Sequence, residues 1–169
     1  MKYSLIAIIF ILIFYGCGGI DPSPISISEQ KPGFSGTITF LGDWPLDVKR
    51  THLVVFKDIL NSPDDFSILN IRYVSLEIPS GVSTYNYNSL DSSYIPIKEG
   101  EYSYIAVVQS KNDTLSLERK DWFVIGLYYN NNDTTKPGKI VIPPNTLTTG
   151  INIICDFNNP PPQPSGGGK

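Results

Sequence analysis

Cys17 and Cys155 carry the chain's two thiols, and His52 carries its one imidazole. These side chains could serve as nucleophiles, lipid acceptors or soft metal ligands. A catalytic histidine needs an orienting carboxylate and a nucleophile within reach. His52 instead opens the apolar run Thr51–Phe56, next to the basic pair Lys49 and Arg50. No GxSxG stretch supplies a serine, so His52 reads as structural or exposed and no catalytic residue is expected. One histidine and one cysteine outside the N-terminal run are too few ligands for a His/Cys metal site. Calcium takes oxygen ligands, and Asn130–Asp133 and Asp64–Asp65 are the acidic or amide-rich stretches to weigh. Neither has EF-hand spacing, and Asp43, Asp47 and Asp58 share no loop, so all read as solvated turn residues. Glu99 and Glu101 are spaced like a carboxylate pair that could work on a glycoside. At a tight hairpin they read as exposed turn charges. No metal and no cofactor is expected.

Cys17 has the most informative setting. Met1-Lys2 gives a short basic start, and Ser4–Tyr15 (SLIAIIFILIFY) is a mostly apolar run of 12 residues. A helix needs roughly 20 such residues to span a bilayer. The run therefore fits the apolar region of a signal peptide. It ends at Tyr15-Gly16-Cys17, a small residue directly before a cysteine. This junction resembles the lipobox of bacterial lipoproteins, with Phe14 where that family prefers Leu and Tyr15 where it prefers a small residue. The resemblance implies cleavage before Cys17, a diacylglycerol on its thiol and an acylated amine. Two other accounts compete: a secretory signal cut near Gly16 or Gly19, and a short membrane anchor that is never cut. Only Asp21 is acidic nearby. Outer-membrane attachment is the expectation, on either its periplasmic or its surface side.

With Cys17 lipidated, Cys155 has no partner in the chain. It lies in Ile151–Phe157, where alternation puts Ile151, Ile153, Cys155 and Phe157 on one face. A buried thiol acting as a small apolar group follows, with a Cys17–Cys155 disulfide as the alternative.

The elements that hold these residues read as strands. Ten Tyr, eight Phe and many Val, Ile and Thr favour them, and 14 Gly and 14 Pro favour turns between them. Candidate strands are residues 36–41, 51–56, 71–78, 83–88, 93–97, 102–109, 122–129, 139–142 and 150–157. Thr51–Phe56 is apolar enough for a strand covered on both faces. No window shows capped helical periodicity, so the chain is predicted to be all-β, a single antiparallel β-sandwich behind an N-terminal signal helix. Domain bounds follow: signal peptide 1–16, flexible tether 17–32, β-sandwich domain 33–157, and a disordered Pro/Gly-rich tail 158–169. The net charge of −3 without a basic face excludes nucleic acid as a partner.

Tyr94–Val107 (YIPIKEGEYSYIAV) resembles the strand–turn–strand signature of carboxypeptidase-regulatory-like, transthyretin-related domains, and Ser35–Phe40 resembles their opening strand. Glu99 stands where those domains place a proline. Gly42–Pro45, His52–Lys57, Asp121–Gly126 and Asp156-Phe157 are similar to uncharacterised lipoproteins of the Bacteroidetes–Ignavibacteria group. The resemblance implies a transthyretin (prealbumin)-like sandwich and an accessory or binding role, with no enzyme activity. Two partners are then open. One is a protein of the envelope, met at a sheet edge near Ser83–Asn88. The other is a glycan, met through exposed aromatics such as Trp44, Tyr85, Tyr87 and Trp122; Tyr73, Tyr94, Tyr128 and Tyr129 also exceed what one small core requires.

Overall fold

The computed structural model describes residues 30–167. The signal peptide, Cys17 and the tether before Gln30 lie outside the described residues. Within them the chain is all-β. Its strands are β1 (Gly33–Leu41), β2 (Arg50–Phe56), β3 (Ile71–Ser75), β4 (Thr84–Asn88), β5 (Ser93–Ile95), β6 (Gly100–Tyr102), β7 (Tyr104–Ser110), β8 (Phe123–Leu127), β9 (Ile140–Ile142), β10 (Leu147–Thr148) and β11 (Ile153–Asp156). Among the described residues there is no α-helix.

Nine strands form one curled sheet in the order β4–β1–β11–β8–β7–β2–β3–β5, with β10 beside the first residues of β1. Register shifts interrupt β2–β3, β3–β5 and β7–β8. Such bulges raise the local twist, which bends a sheet of this width into a half-barrel. Its concave face holds Phe34, Ile38, Leu53, Val55, Ile105, Val107, Ile125, Ile153 and Cys155. The ribbon β6–β9 adds Tyr102, Ile140 and Ile142 to the same cluster. The convex face of β2, β3, β7 and β8 is covered too, by Leu60 and Phe66 from the long loop after β2 and by Trp122. Thr51–Phe56 is consequently buried at every position, as its composition implies. Burying a Val, Leu, Ile or Phe side chain contributes roughly 1.5–3 kcal/mol, so both faces of β2 stabilise the fold.

One junction ties the chain's ends to its middle. Ile151 donates its N–H to Ser35 O, and Tyr87 Oη donates to Ile151 O at 2.5 Å. Tyr87 stands opposite Gly36 in the β1–β4 register. Gly36 has no side chain, so the Ile151 carbonyl can lie against it and the tyrosine can reach across.

Three features differ from the sequence expectation. The sheet is mixed, because β1 runs parallel to both β10 and β11. A period of two assigns faces and is blind to the direction of a neighbour. The strand–turn–strand unit over 94–107 is not a hairpin: β5 pairs with β3, β7 pairs with β2 and β8, and β6 between them pairs with β9. Gly100 still takes a backbone angle (φ 149°) that side chains disfavour. Finally, Asn158–Gly167 lies against the domain with defined hydrogen bonds, where composition alone suggests chain without contacts. Low apolar content limits burial, but it places no limit on polar pairing.

Candidate functional site

One end of the half-barrel opens into a cleft of about 310 Å³. Its floor is Ile125, and its walls are the ends of β7 (Gln109, Ser110), the start of β8 (Phe123) and Phe157 just past β11. The β1–β2 loop contributes Pro45, Asp47 and Val48, and the β7–β8 loop contributes Lys111, Asn112, Lys120, Asp121 and Trp122. Gly42, at φ 87°, turns the chain out of β1 into the first of these loops. Trp44 then anchors that loop. Its ring packs 4.6 Å from Phe40 and 5.2 Å from Phe157, and its Nε1 donates to Val82 O at 2.9 Å.

The polar groups of the cleft are arranged in pairs. Lys111 meets Asp47 at 2.5 Å and holds its carboxyl below the usual aspartate range. Both side chains are exposed, so water screens the pair and it adds little to stability. Ser116 Oγ donates to Asp121 Oδ2, and Trp122 Nε1 donates to Ser116 O at 2.8 Å. Gln109 Nε2 reaches Thr51 Oγ1 at 3.3 Å. Apolar rings beside amides and carboxylates suit a small polar ligand with an apolar face.

The structure keeps the sequence-nominated groups apart. His52 points to the convex side, fully buried, with its ring edge-on to Tyr94 and Trp122 at 5.8 and 5.9 Å. Its Nδ1 is 3.1 Å from Ser75 O, so that nitrogen carries the proton, and Nε2 has no partner. Burial lowers the imidazole pKa below its ordinary 6.5, with nearby Glu77 opposing and Arg50 adding to that shift. With the folded pKa depressed, the unfolded chain takes up a proton first as the pH falls through 6.5. Stability is therefore full above that pH and declines below it. We expect the unfolding midpoint to drop between about pH 7 and 5.5, and His52→Gln to remove most of that slope in pH-resolved urea melts. An unchanged slope in the variant would assign the dependence elsewhere.

Cys155 is a fully buried free thiol that faces Gly126 across β11–β8, and burial pushes its pKa far above the ordinary value. A thiol held protonated packs as an apolar group. Ile151, Ile153 and Cys155 do share the inner face, with Phe157 packed on it. Asp65 Oδ2 accepts from Asn61 and Ser62 N–H at 2.9 and 2.7 Å, and Asn130 accepts from Lys139 N–H. These oxygens brace their own loops. Glu101 pairs with Lys139 at 2.9 Å, and Glu99 lies exposed before β6. Among the described residues no three His, Cys, Asp or Glu side chains gather as a metal site. Tyr73, Tyr87 and Trp122 are buried, and Trp44, Tyr85, Tyr128 and Tyr129 are partly buried. Tyr94, about half exposed, is the one aromatic among the described residues that stands well out into solvent.

Sequence reasoning missed two residues that the structure makes prominent. Arg119 is a buried cation over the Phe66 ring, donating to Trp122 O and Pro164 O. Gln163 lies in the tail and pairs with β8. Single polar residues inside loops carry no periodic signal that could have found them. No family model matches the chain, and neither a curated protein nor a solved structure matches it.

Proposed function

We propose that the protein is a non-enzymatic lipoprotein of the bacterial cell envelope. Lipid on Cys17 holds it to the membrane, at the outer membrane, and its domain binds a protein partner at the open edge of β4. The curled sheet and the β6–β9 ribbon are read as the two layers of a transthyretin-like β-sandwich, since Tyr102, Ile140 and Ile142 close over the sheet's concave face.

The edge of β4 carries this reading. β4 pairs with β1 alone. The bonds Phe40 N–H to Ser83 O and Ser89 N–H to Phe34 O set the phase of the ladder. Residues 83, 85, 87 and 89 therefore turn their backbone groups to β1, and Thr84, Asn86 and Asn88 turn theirs outward, where the Asn88 carbonyl is already taken by Asp91 N–H and Thr84 and Asn86 are the open positions. Unpaired N–H and C=O groups on an edge are a template for an added strand. The inward Tyr85 and Tyr87 fix the strand by packing on the core, so the edge is rigid before a partner arrives.

Asn86→Pro removes an outward N–H and leaves the backbone bonds to β1 intact, losing only the exposed side-chain bond that Thr37 Oγ1 donates to Asn86 Oδ1. A tagged full-length chain, crosslinked gently in native membranes, is expected to recover a partner at least tenfold more efficiently than the Asn86→Pro chain. Equal recovery by both, or no partner recovered at all, would count against the edge. A glycan reading keeps one observation in its favour, the cleft where Phe123 and Phe157 stand beside Gln109, Asn112 and Asp121. Saturable binding on a glycan array, with chemical shifts confined to those residues, would move the assignment there.

A further inference from the structure

β11 stops at Asp156. Its register with β8 would place Phe157 opposite Val124, but the chain turns there, with Asn159 N–H donating to Asp156 O. The tail then returns to Val124 by a side chain. Val124 N–H donates to Gln163 Oε1 at 2.8 Å, and Gln163 Nε2 donates to Val124 O at 2.7 Å. One carboxamide thus makes both bonds of a ladder residue. Arg119 donates to Pro164 O at 3.0 Å, and Ser165 Oγ donates to Asn61 O at 3.3 Å. Gly166, at φ 74°, lies on Pro63 too closely for a side chain, and Gly167 lies on the Arg119 guanidinium. Ahead of Gln163, Pro160–Pro162 form one wall of a groove of about 510 Å³ over Leu41, Leu127, Tyr129 and Ile154.

We propose that this convex-face seat is a recognition site for an extended Pro-Gln-Pro segment of another protein, filled here by the chain's own tail. The contacts select a sequence. A glutamine must meet both groups of Val124, a carbonyl must meet Arg119, and a glycine must stand three residues after the glutamine. Flanking prolines hold such a segment extended before it binds, so little ordering entropy is lost. The tail also leaves the seat incompletely used. Ile154 on the groove floor stays 64% exposed. Arg119 Nε, buried where its guanidinium meets the segment, has no partner. A tail joined through a few residues competes at an effective concentration of roughly millimolar. A partner segment therefore has to displace it, and the site stays closed to weak binders. The seat lies on a different strand from the β4 edge, and the two readings fail independently.

The probe is a synthetic peptide of residues 158–169 of this sequence (NNPPPQPSGGGK) and its Gln163→Ala version, titrated into the full-length protein. In a Gln163→Ala chain the tail's hold is weakened. The unaltered peptide is expected to bind that chain at least tenfold tighter than it binds the wild-type chain, and at least tenfold tighter than the altered peptide does. Equal binding by the two peptides, or no saturable binding to either chain at millimolar peptide, overturns the proposal. Should the variant chain fail to fold, a nitroxide-labelled peptide is added to the wild-type protein. Broadening of the Val124 and Trp122 amide signals supports the site, and its absence overturns it.

Discussion

Replacing Gly36 with alanine is expected to destabilise the protein by about 3 kcal/mol or more, the upper end of what overpacking costs. A Cβ at this position meets the carbonyl oxygen and carbon of Ile151, which are backbone atoms and cannot rotate away. To make room, β1 would have to part from the segment leading into β11, losing the Ile151 N–H bond to Ser35 O. The Tyr87 hydroxyl would then lose its buried acceptor as well. Parallel pairing of β1 with β11 depends on this contact, so a cooperative loss of β1, β4 and β11 is expected. The natural control is Gly81→Ala. Gly81 has φ 82° but nothing within 4 Å of a new Cβ, so only the left-handed strain of about 1 kcal/mol applies. Urea unfolding of both variants measures the contrast. A Gly36→Ala cost no larger than that of Gly81→Ala would show that the Ile151 junction does not hold the sheet.

Replacing Cys17 with serine is expected to abolish incorporation of labelled fatty acid into the protein and to leave its signal peptide uncut. Among the described residues no helix is long and apolar enough to cross a bilayer, and the proposed anchor is acyl chains on Cys17. Each buried CH₂ contributes about 0.8 kcal/mol, and one chain of myristoyl length binds only marginally, whereas several chains on one residue hold durably. Serine offers no thiol for the diacylglycerol and no lipobox for the cleavage. Fatty-acid labelling of cells carrying either chain, with the intact mass of each purified protein, reads the result. A wild-type chain that takes up no label, or a serine variant that is labelled and cut like the wild type, would contradict an anchor on Cys17.

The strands were legible, and their partners were not. Thr51–Phe56 announces cover on both faces by its unbroken apolar run, and Ile151–Phe157 announces its faces by alternation: Ile151, Ile153, Cys155 and Phe157 lie together on the inner side as their spacing implies. Alternation carries no direction, which hid the parallel pairing of β1 with β11. The surplus of aromatics also has a physical account. A sheet covered on both faces builds two clusters, so Tyr73 and Tyr87 fill one while Tyr104 and Trp122 fill the other. The long stretch 59–83, more than a simple sandwich needs, supplies Leu60 and Phe66 to the second cluster. The polar contacts of the tail were out of reach of composition for a related reason. Composition registers whether a segment can bury apolar area, and Gln163 is held through an amide that matches two backbone groups.

The account rests on Cys17 being the first residue of a lipid-bearing mature protein. The intact mass of the protein extracted from membranes tests this directly, with fragmentation of its N-terminal peptide. The predicted result is a chain beginning at Cys17, heavier than its sequence by the diacylglycerol and one further acyl group, with Cys155 as a free thiol. An unmodified Cys17, or one joined by a disulfide to Cys155, would contradict it.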